Sequence, residues 1–412
     1  MNKEKKQSAI VSAPLPGREG QGESPFDERI VRRGTNCVKW DSPYHSAGEP
    51  PLLGRSGGAI PLWVADMDFR VAPAIQQAIE RRAAHGVFGY THVPEAYYEA
   101  IISWFKRRHQ WEIEREDILY TTGVVPAISC CLKAITMPGE KVLILSPVYN
   151  CFFSSIRNNG CEVVEVPLNL KDFEAKCSDE KTTAFLLCNP HNPGGRVWTR
   201  EELERMNDIC QRHGVRVVSD EIHCELVMPG HKFVPFGTIS NDAVVCNSPS
   251  KAFNIAGLQT ANIICHDPEL RRRINRAINI NEVCDLNPFG VEALMAAYNE
   301  SEEWLDELCL YLKGNYDALC SFFAEKLPQL KVMPLEGTYL AWVDIRATGM
   351  SSDELADRLY NEAGVWVSSG AMYSPTWGEG FIRINMACPR SQLMEGLERI
   401  EKTFSKSPKL GD

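Results

Sequence analysis

From about residue 95 onward, short apolar runs alternate with stretches of helical period. "KVLIL" (141–145), "EVVEV" (162–166), "TAFLLC" (183–188), "VRVVS" (215–219) and "AVVCN" (243–247) are the clearest strand candidates. Their alternation with helical patterns predicts an α/β domain with a mostly parallel sheet sandwiched by helices. Between the third and fourth runs lies "TREELERMNDICQRHG", where Thr199 and Glu202 form a capping-box pattern and Gly214 a C-terminal stop, so a crossover helix is expected there.

The pattern changes from about residue 289 to long helical stretches, through "YLKGNYDALCSFFAEKL". After these come strand-like "TYLAWVDI", the capped helix "SSDELADRLYNEAG", strand-like "FIRINMA" and a last helix, "SQLMEGLERIEKTF". A smaller C-terminal α/β domain over 289–412 is therefore expected beside a large domain over 66–288. Ahead of them we expect a flexible leader over 1–24 and an N-terminal arm over 25–65.

Composition narrows the function classes. The 412 residues are 44% hydrophobic and 24% charged, enough for one large core and a second smaller one. The net charge of -10 argues against tracking a phosphate backbone, so nucleic acid is not an expected partner. Neither a signal-peptide pattern nor an apolar run of membrane-spanning length occurs, which points to a cytoplasmic protein with no membrane partner. The fifteen cysteines are scattered, without the C-x-x-C pairs of zinc sites, and read as reduced thiols packed as small apolar residues. No metal site is expected.

In open parallel sheets, ligands bind beyond the carboxyl ends of the strands. The residues just after the predicted strands are Tyr149 in "SPVYN", Asn192 in "NPHNPGG", Asp220 and His223 in "DEIH", and Lys251 in "SPSK". A further loop, "TTGVVPAI", puts Gly123 where a turn opens a helix, whose N–H groups could hold a phosphate. Taken singly, each has an ordinary reading: a helix cap for Asp220, turn chemistry for Asn192, core packing for Tyr149 and for His223, one helical turn from Asp220, and a surface charge for Lys251, which a helix-like segment follows. Their order at successive strand ends is what points to one cofactor, pyridoxal 5'-phosphate. Its aldehyde needs a lysine, its ring nitrogen an acid, its ring face an aromatic, its phenolic oxygen a donor and its phosphate a nest of N–H and hydroxyl groups.

From about Phe26 to Phe404 the sequence resembles the class I/II aminotransferase-like, fold-type-I pyridoxal-phosphate enzymes. "NPHNPGG", "SDEIH", "SPSKAFNIAG" and "FIRINMACPR" carry that resemblance. Within the family the chain is most similar to the cystathionine β-lyase (C–S lyase) branch of MalY/PatB type, through "FDERIVRRGTNCVKWD", "LWVADMDF", "FGYT" and "TTGVVPAI". The resemblance implies that Lys251 is the Schiff-base lysine and proton shuttle, and that Asp220 is the partner of the ring nitrogen. It implies a hydrogen bond from Asn192 to the phenolic oxygen and stacking of Tyr149 on the ring. Gly123, Val124, Val125, Ser248 and Ser250 would line the phosphate site, with Tyr90 of "FGYT" reaching in from a partner subunit of a homodimer. His223 would belong to the cofactor site, and Arg383 would clamp the substrate α-carboxylate as a two-bond fork.

Two positions depart from the aminotransferase pattern. A tyrosine three residues after the ring aspartate and an arginine eight residues after the lysine are replaced here by His223 and Gln259. Both departures resemble the lyase branch. Cys37 stands where that branch has serine, a change that is conservative in volume. The resemblance thus implies β-elimination from L-cystathionine or another S-substituted cysteine, yielding thiol, pyruvate and ammonia. An aminotransferase, or a regulatory binding protein on the same fold, are the alternatives.

Overall fold

The computed structural model describes residues 24–42 and 58–405. All but the last residue of the expected leader lies outside them; Ser24 caps the short turn of helix Pro25–Asp27.

A seven-stranded sheet organises the centre. Its spatial order is Ile118–Thr121, Ala261–Cys265, Val244–Asn247, Arg216–Asp220, Thr182–Cys188, Lys141–Ser146 and Glu162–Pro167. Neighbours pair in parallel except where Ala261–Cys265 runs antiparallel to both of its partners. The five strands expected from the sequence are all present, within a residue or two of their predicted ends. Ile118–Thr121 and Ala261–Cys265 were not anticipated.

Side chains alternate between the two faces of a strand, and both faces here are dry. Leu143, Leu145, Phe185, Leu187, Val217 and Val245 feed one apolar cluster. Val142, Ile144, Ala184, Leu186, Val218 and Val244 feed the other. That is why these strands read as unbroken apolar runs. Helices Val124–Ile135 and Pro268–Ile280 pack on the second face, and Arg200–Arg212 belongs to the first. The Thr199–Glu202 capping box forms as expected, and Gly214 follows the helix with φ +69°.

Beyond helices Pro288–Glu300 and Glu302–Lys326, a four-stranded antiparallel sheet contains Leu340–Asp344 beside Phe381–Asn385. The N-terminal residues pack on this part of the chain. Phe26 lies against Trp304, Tyr311 and Phe69, and Ile60–Pro61 pairs in parallel with Val365–Trp366. All fifteen cysteines are free and most are buried.

Two local expectations are corrected. The residues after Lys251 are a series of turns followed by the short 3-10 helix Ala256–Leu258, not an α-helix; Asn254, at φ +55°, breaks the helical path. His223 likewise lies in a turn, where Cys224 and Leu226 donate their N–H groups to the carbonyls of Glu221 and His223. It is therefore not one helical turn from Asp220.

Candidate active site

The carboxyl ends of the parallel strands open into a cavity of about 550 Å³. Gly123, Val124, Val125, Tyr149, Asn192, Asp220, His223, Ser250, Lys251 and Arg383 all line it. Parallel pairing puts the ends of Lys141–Ser146, Thr182–Cys188, Arg216–Asp220 and Val244–Asn247 on one edge, so that Tyr149 and Lys251, far apart in the chain, converge there. Ser248 stands just behind the wall: its hydroxyl lies 2.6 Å from that of Ser250 and donates to the Thr260 carbonyl at 2.6 Å. Tyr90 does not reach the cavity of its own chain. It is fully exposed, in a loop that also exposes Val87 and Phe88.

The floor is electrostatically unusual. Asp220 is 3% exposed and its carboxylate accepts one hydrogen bond, from the Ile222 N–H at 3.1 Å. Burial pushes this carboxyl up to about 7, against the Ile222 bond and the charge of Lys251. Burial also brings Lys251 down to about 8, aided by Arg383 and opposed by Asp66 and Asp220. Lys251 Nζ donates to the Ala65 carbonyl at 2.6 Å. His223 is held well below the usual imidazole range by burial, with Lys251 and Arg383 acting the same way, and its Nδ1 is without a partner.

Arg383 is the second buried cation of the cavity. Its fork donates to Asn192 Oδ1 at 3.0 Å and to the Trp63 carbonyl at 2.7 Å, while Nε is unpaired. Its guanidinium carbon lies 4.7 Å from the centre of the Tyr373 ring. Among the described residues no carboxylate pairs with it. A buried charge in that condition is costly unless an anion joins it.

At one end of the cavity, helix Val124–Ile135 begins at Gly123, and the N–H groups of its first turn have no partners within the helix. With Ser250 they form a cradle suited to a phosphate. Gln259 lines this region where an arginine would have added charge.

These features fit pyridoxal 5'-phosphate. The cradle suits its phosphate, and Asp220, raised by burial, gains from a protonated ring nitrogen beside it. Among the described residues the amide NH₂ of Asn192 has no hydrogen-bond partner and could serve an oxygen, and Lys251 is an amine for the aldehyde. Arg383 then remains for a carboxylate of the substrate.

The aminotransferase class I and II family model matches residues 59–400. The chain belongs to that family. Cystathionine beta-lyase PatB of Bacillus subtilis (strain 168) is 41% identical over 393 residues, which cover 92% of this chain and all of that protein. Protein MalY of Escherichia coli (strain K12) is 33% identical over 384 residues, covering 90% and 96%. Among solved structures, the PLP-bound C–S lyase from Staphylococcus hominis matches with a TM-score of 0.83 at 32% identity, over 93% of this chain and 99% of that one. The family match reaches residue 400, so family membership extends to the strand Phe381–Asn385 that carries Arg383.

Sequence reasoning missed several participants. The carbonyls of Trp63 and Ala65 hold Arg383 and Lys251, and the Tyr339 hydroxyl shares the Ala65 carbonyl at 2.9 Å. Cys151 and Tyr373 line the cavity as well. The "LWVADMDF" motif contains both carbonyls, and it was the one available signal; a main-chain contact has no residue type to betray it.

Proposed function

We propose that this protein is a pyridoxal-phosphate-dependent carbon–sulfur β-lyase, acting on L-cystathionine or a related S-substituted L-cysteine. The observation that carries the reading is the pair of cations without carboxylate partners among the described residues, half-buried Lys251 and buried Arg383, facing a buried carboxyl raised to about 7 at Asp220. The named relatives support the lyase over the aminotransferase.

When bound, the cofactor supplies an electron sink conjugated to the substrate Cα. Arg383 takes the α-carboxylate as a two-bond fork and so fixes which Cα substituent faces Lys251. Lys251, with its affinity for protons lowered by burial, is neutral often enough near pH 8 to remove the Cα proton. Asp220 holds a proton at the ring nitrogen, Asn192 donates to the phenolic oxygen, and Tyr149 covers a ring face. The first turn of helix Val124–Ile135, with Ser250 and, behind it, Ser248, holds the phosphate. Loss of the Cα proton is followed by departure of the Cβ sulfur, giving a thiol and, after hydrolysis, pyruvate and ammonia.

We also propose a homodimer in the cytoplasm in which Tyr90 serves the partner's site; its complete exposure in a single chain, beside Val87 and Phe88, supports this. The division into leader, arm, large domain and small domain is part of the same reading. No helix among the described residues is long and apolar enough to cross a membrane.

The test is a panel of S-substituted cysteines with purified protein, following thiol and pyruvate together. Equimolar release of both supports the lyase. Conversion of an added 2-oxo acid to its amino acid, without thiol release, overturns it in favour of transamination.

A further inference from the structure

Residues 63–67 run between the cavity and the N-terminal arm, and side chains hold their carbonyls. On the cavity side, Trp63 O accepts from Arg383 and Ala65 O from Lys251. On the opposite side, Asp66 O accepts from Lys39 Nζ at 3.1 Å and Met67 O from Arg32 Nη1 at 3.0 Å. One strip of backbone is thus gripped by the two cations of the cavity and by two cations of the arm.

The arm grips carboxylates as well. Arg32 lies 2.6 Å from both Asp66 Oδ2 and Asp68 Oδ1, and Lys39 Nζ lies 3.0 Å from Asp68 Oδ2 and 3.7 Å from Asp66 Oδ1. Lys39 is 1% exposed. Burial pushes Asp68 up, but Lys39 and Arg32, with the Trp40 N–H, outweigh it and hold the carboxyl below its usual range. Asp66 retains one oxygen, Oδ1, that no hydrogen bond satisfies.

We propose that Arg32 and Lys39 are positioning residues of the active site, which fix residues 63–67 against Lys251 and Arg383 and govern how much of the Asp66 charge Lys251 feels. This rests on the reading of Lys251 as the reacting amine. Asp66 is the foremost of the groups that hold the proton on Lys251, ahead of Asp220 and Cys151; Arg383 acts against them, and His223 also faces the amine. Arg32 and Lys39 thus act on the cavity although neither of them lines it.

The signs are opposed for two substitutions in one cluster. Asp66→Asn removes a negative charge beside Lys251, so its midpoint falls by about 1 pH unit. Lys39→Met removes the positive charge that offsets Asp66 and Asp68, so the midpoint rises by a smaller amount. A purely structural role would loosen the segment in both variants and shift both the same way.

The midpoint is read in two ways on the full-length protein. Labelling of Lys251 by trinitrobenzenesulfonate as a function of pH, after cofactor removal and with peptide mass spectrometry, reads the amine directly. The pH profile of kcat, which reports groups of the substrate-bound enzyme, reads it in the loaded enzyme. Opposed shifts, with Lys39→Arg returning the midpoint to wild type, are expected. Shifts of one sign, or no shift in Asp66→Asn, overturn the proposal, and Asp66→Asn decides alone should Lys39→Met not fold. Opposed labelling shifts in a protein that releases no pyruvate would sink the lyase reading and leave this one standing.

Discussion

Lys39 and Lys251 are both withdrawn from bulk water, and their surroundings differ in kind. Lys39 lies among two carboxylates and a carbonyl, every one within 4 Å. Lys251 has one carbonyl, and no carboxylate within that distance among the described residues. A buried ammonium with counter-ions is held charged and inert, whereas one without them gives up its proton and becomes a base. On the proposed reading the same side chain is a structural cation on one side of residues 63–67 and a reagent on the other.

The contrast breaks most sharply at the lysines themselves. Lys251→Ala should cut pyruvate release by at least about 10⁴-fold, since both the amine and its proton transfer go. Its urea midpoint should stay at or above that of wild type, because a poorly compensated cation is removed. Lys39→Met should do the opposite to stability: it takes one of two cations from Asp68, which keeps Arg32, so the loss should be a part of the roughly 3–5 kcal/mol that breaking a buried pair costs. If chemical denaturation finds the two variants equally destabilised, the distinction between structural and reactive lysine fails.

Asp220→Asn comes next, with an expected fall in kcat of roughly 10²–10³-fold, as for loss of a preorganised charge. It also has a pH signature in the cofactor-free protein. The folded carboxyl sits at about 7, raised from 3.8, so the folded state binds the extra proton between those values. Stability from this group is complete below about pH 4 and is lost as pH rises through 7. Between pH 5 and 7 the wild type should lose roughly 2 kcal/mol that the asparagine variant retains. Parallel urea curves for the two proteins across that window would place the perturbed carboxyl elsewhere.

The smallest effect is expected from Arg383→Lys, which keeps the charge and loses the fork. KM for amino-acid substrates should rise by about 10- to 100-fold with a lesser change in kcat. Initial-rate kinetics that show kcat falling as far as kcat/KM would mean Arg383 acts on the transition state rather than in binding.

Much of this architecture was legible from residue order. Strands dry on both faces announce themselves as apolar runs, and the side chains that follow them fall on one edge because parallel strands leave no alternative. Thr199 and Glu202 gave their helix start away in the same manner. Ala261–Cys265 was missed because its apolar run follows closely on the lysine loop, and Ile118–Thr121 because "ILYT" is four residues of mixed polarity at a sheet edge. The helix expected after Lys251 failed at Asn254, whose side chain accepts from the Met67 N–H and donates to the carbonyls of Met67 and Phe69 instead of continuing a helical turn. Apart from the Asp66 carboxylate, residues 63–67 are held largely through carbonyls, which every residue possesses, so side-chain types within the segment say little about those grips.

The gripping of residues 63–67 also bears on how the molecule comes into being. A chain made from its N-terminus presents Arg32, Lys39 and Asp66 first, Lys251 much later and Arg383 nearly last. The strip that these groups hold in common gains its late grips when Phe381–Asn385 arrives, with Asn385 Nδ2 donating to the carbonyls of Val64 and Asp66 at 2.6 and 2.7 Å. Competence is therefore withheld until synthesis is almost finished. A chain truncated before this strand would carry Lys251 and most of the cavity lining, yet would lack Arg383 and the Asn385 bonds to Val64 and Asp66.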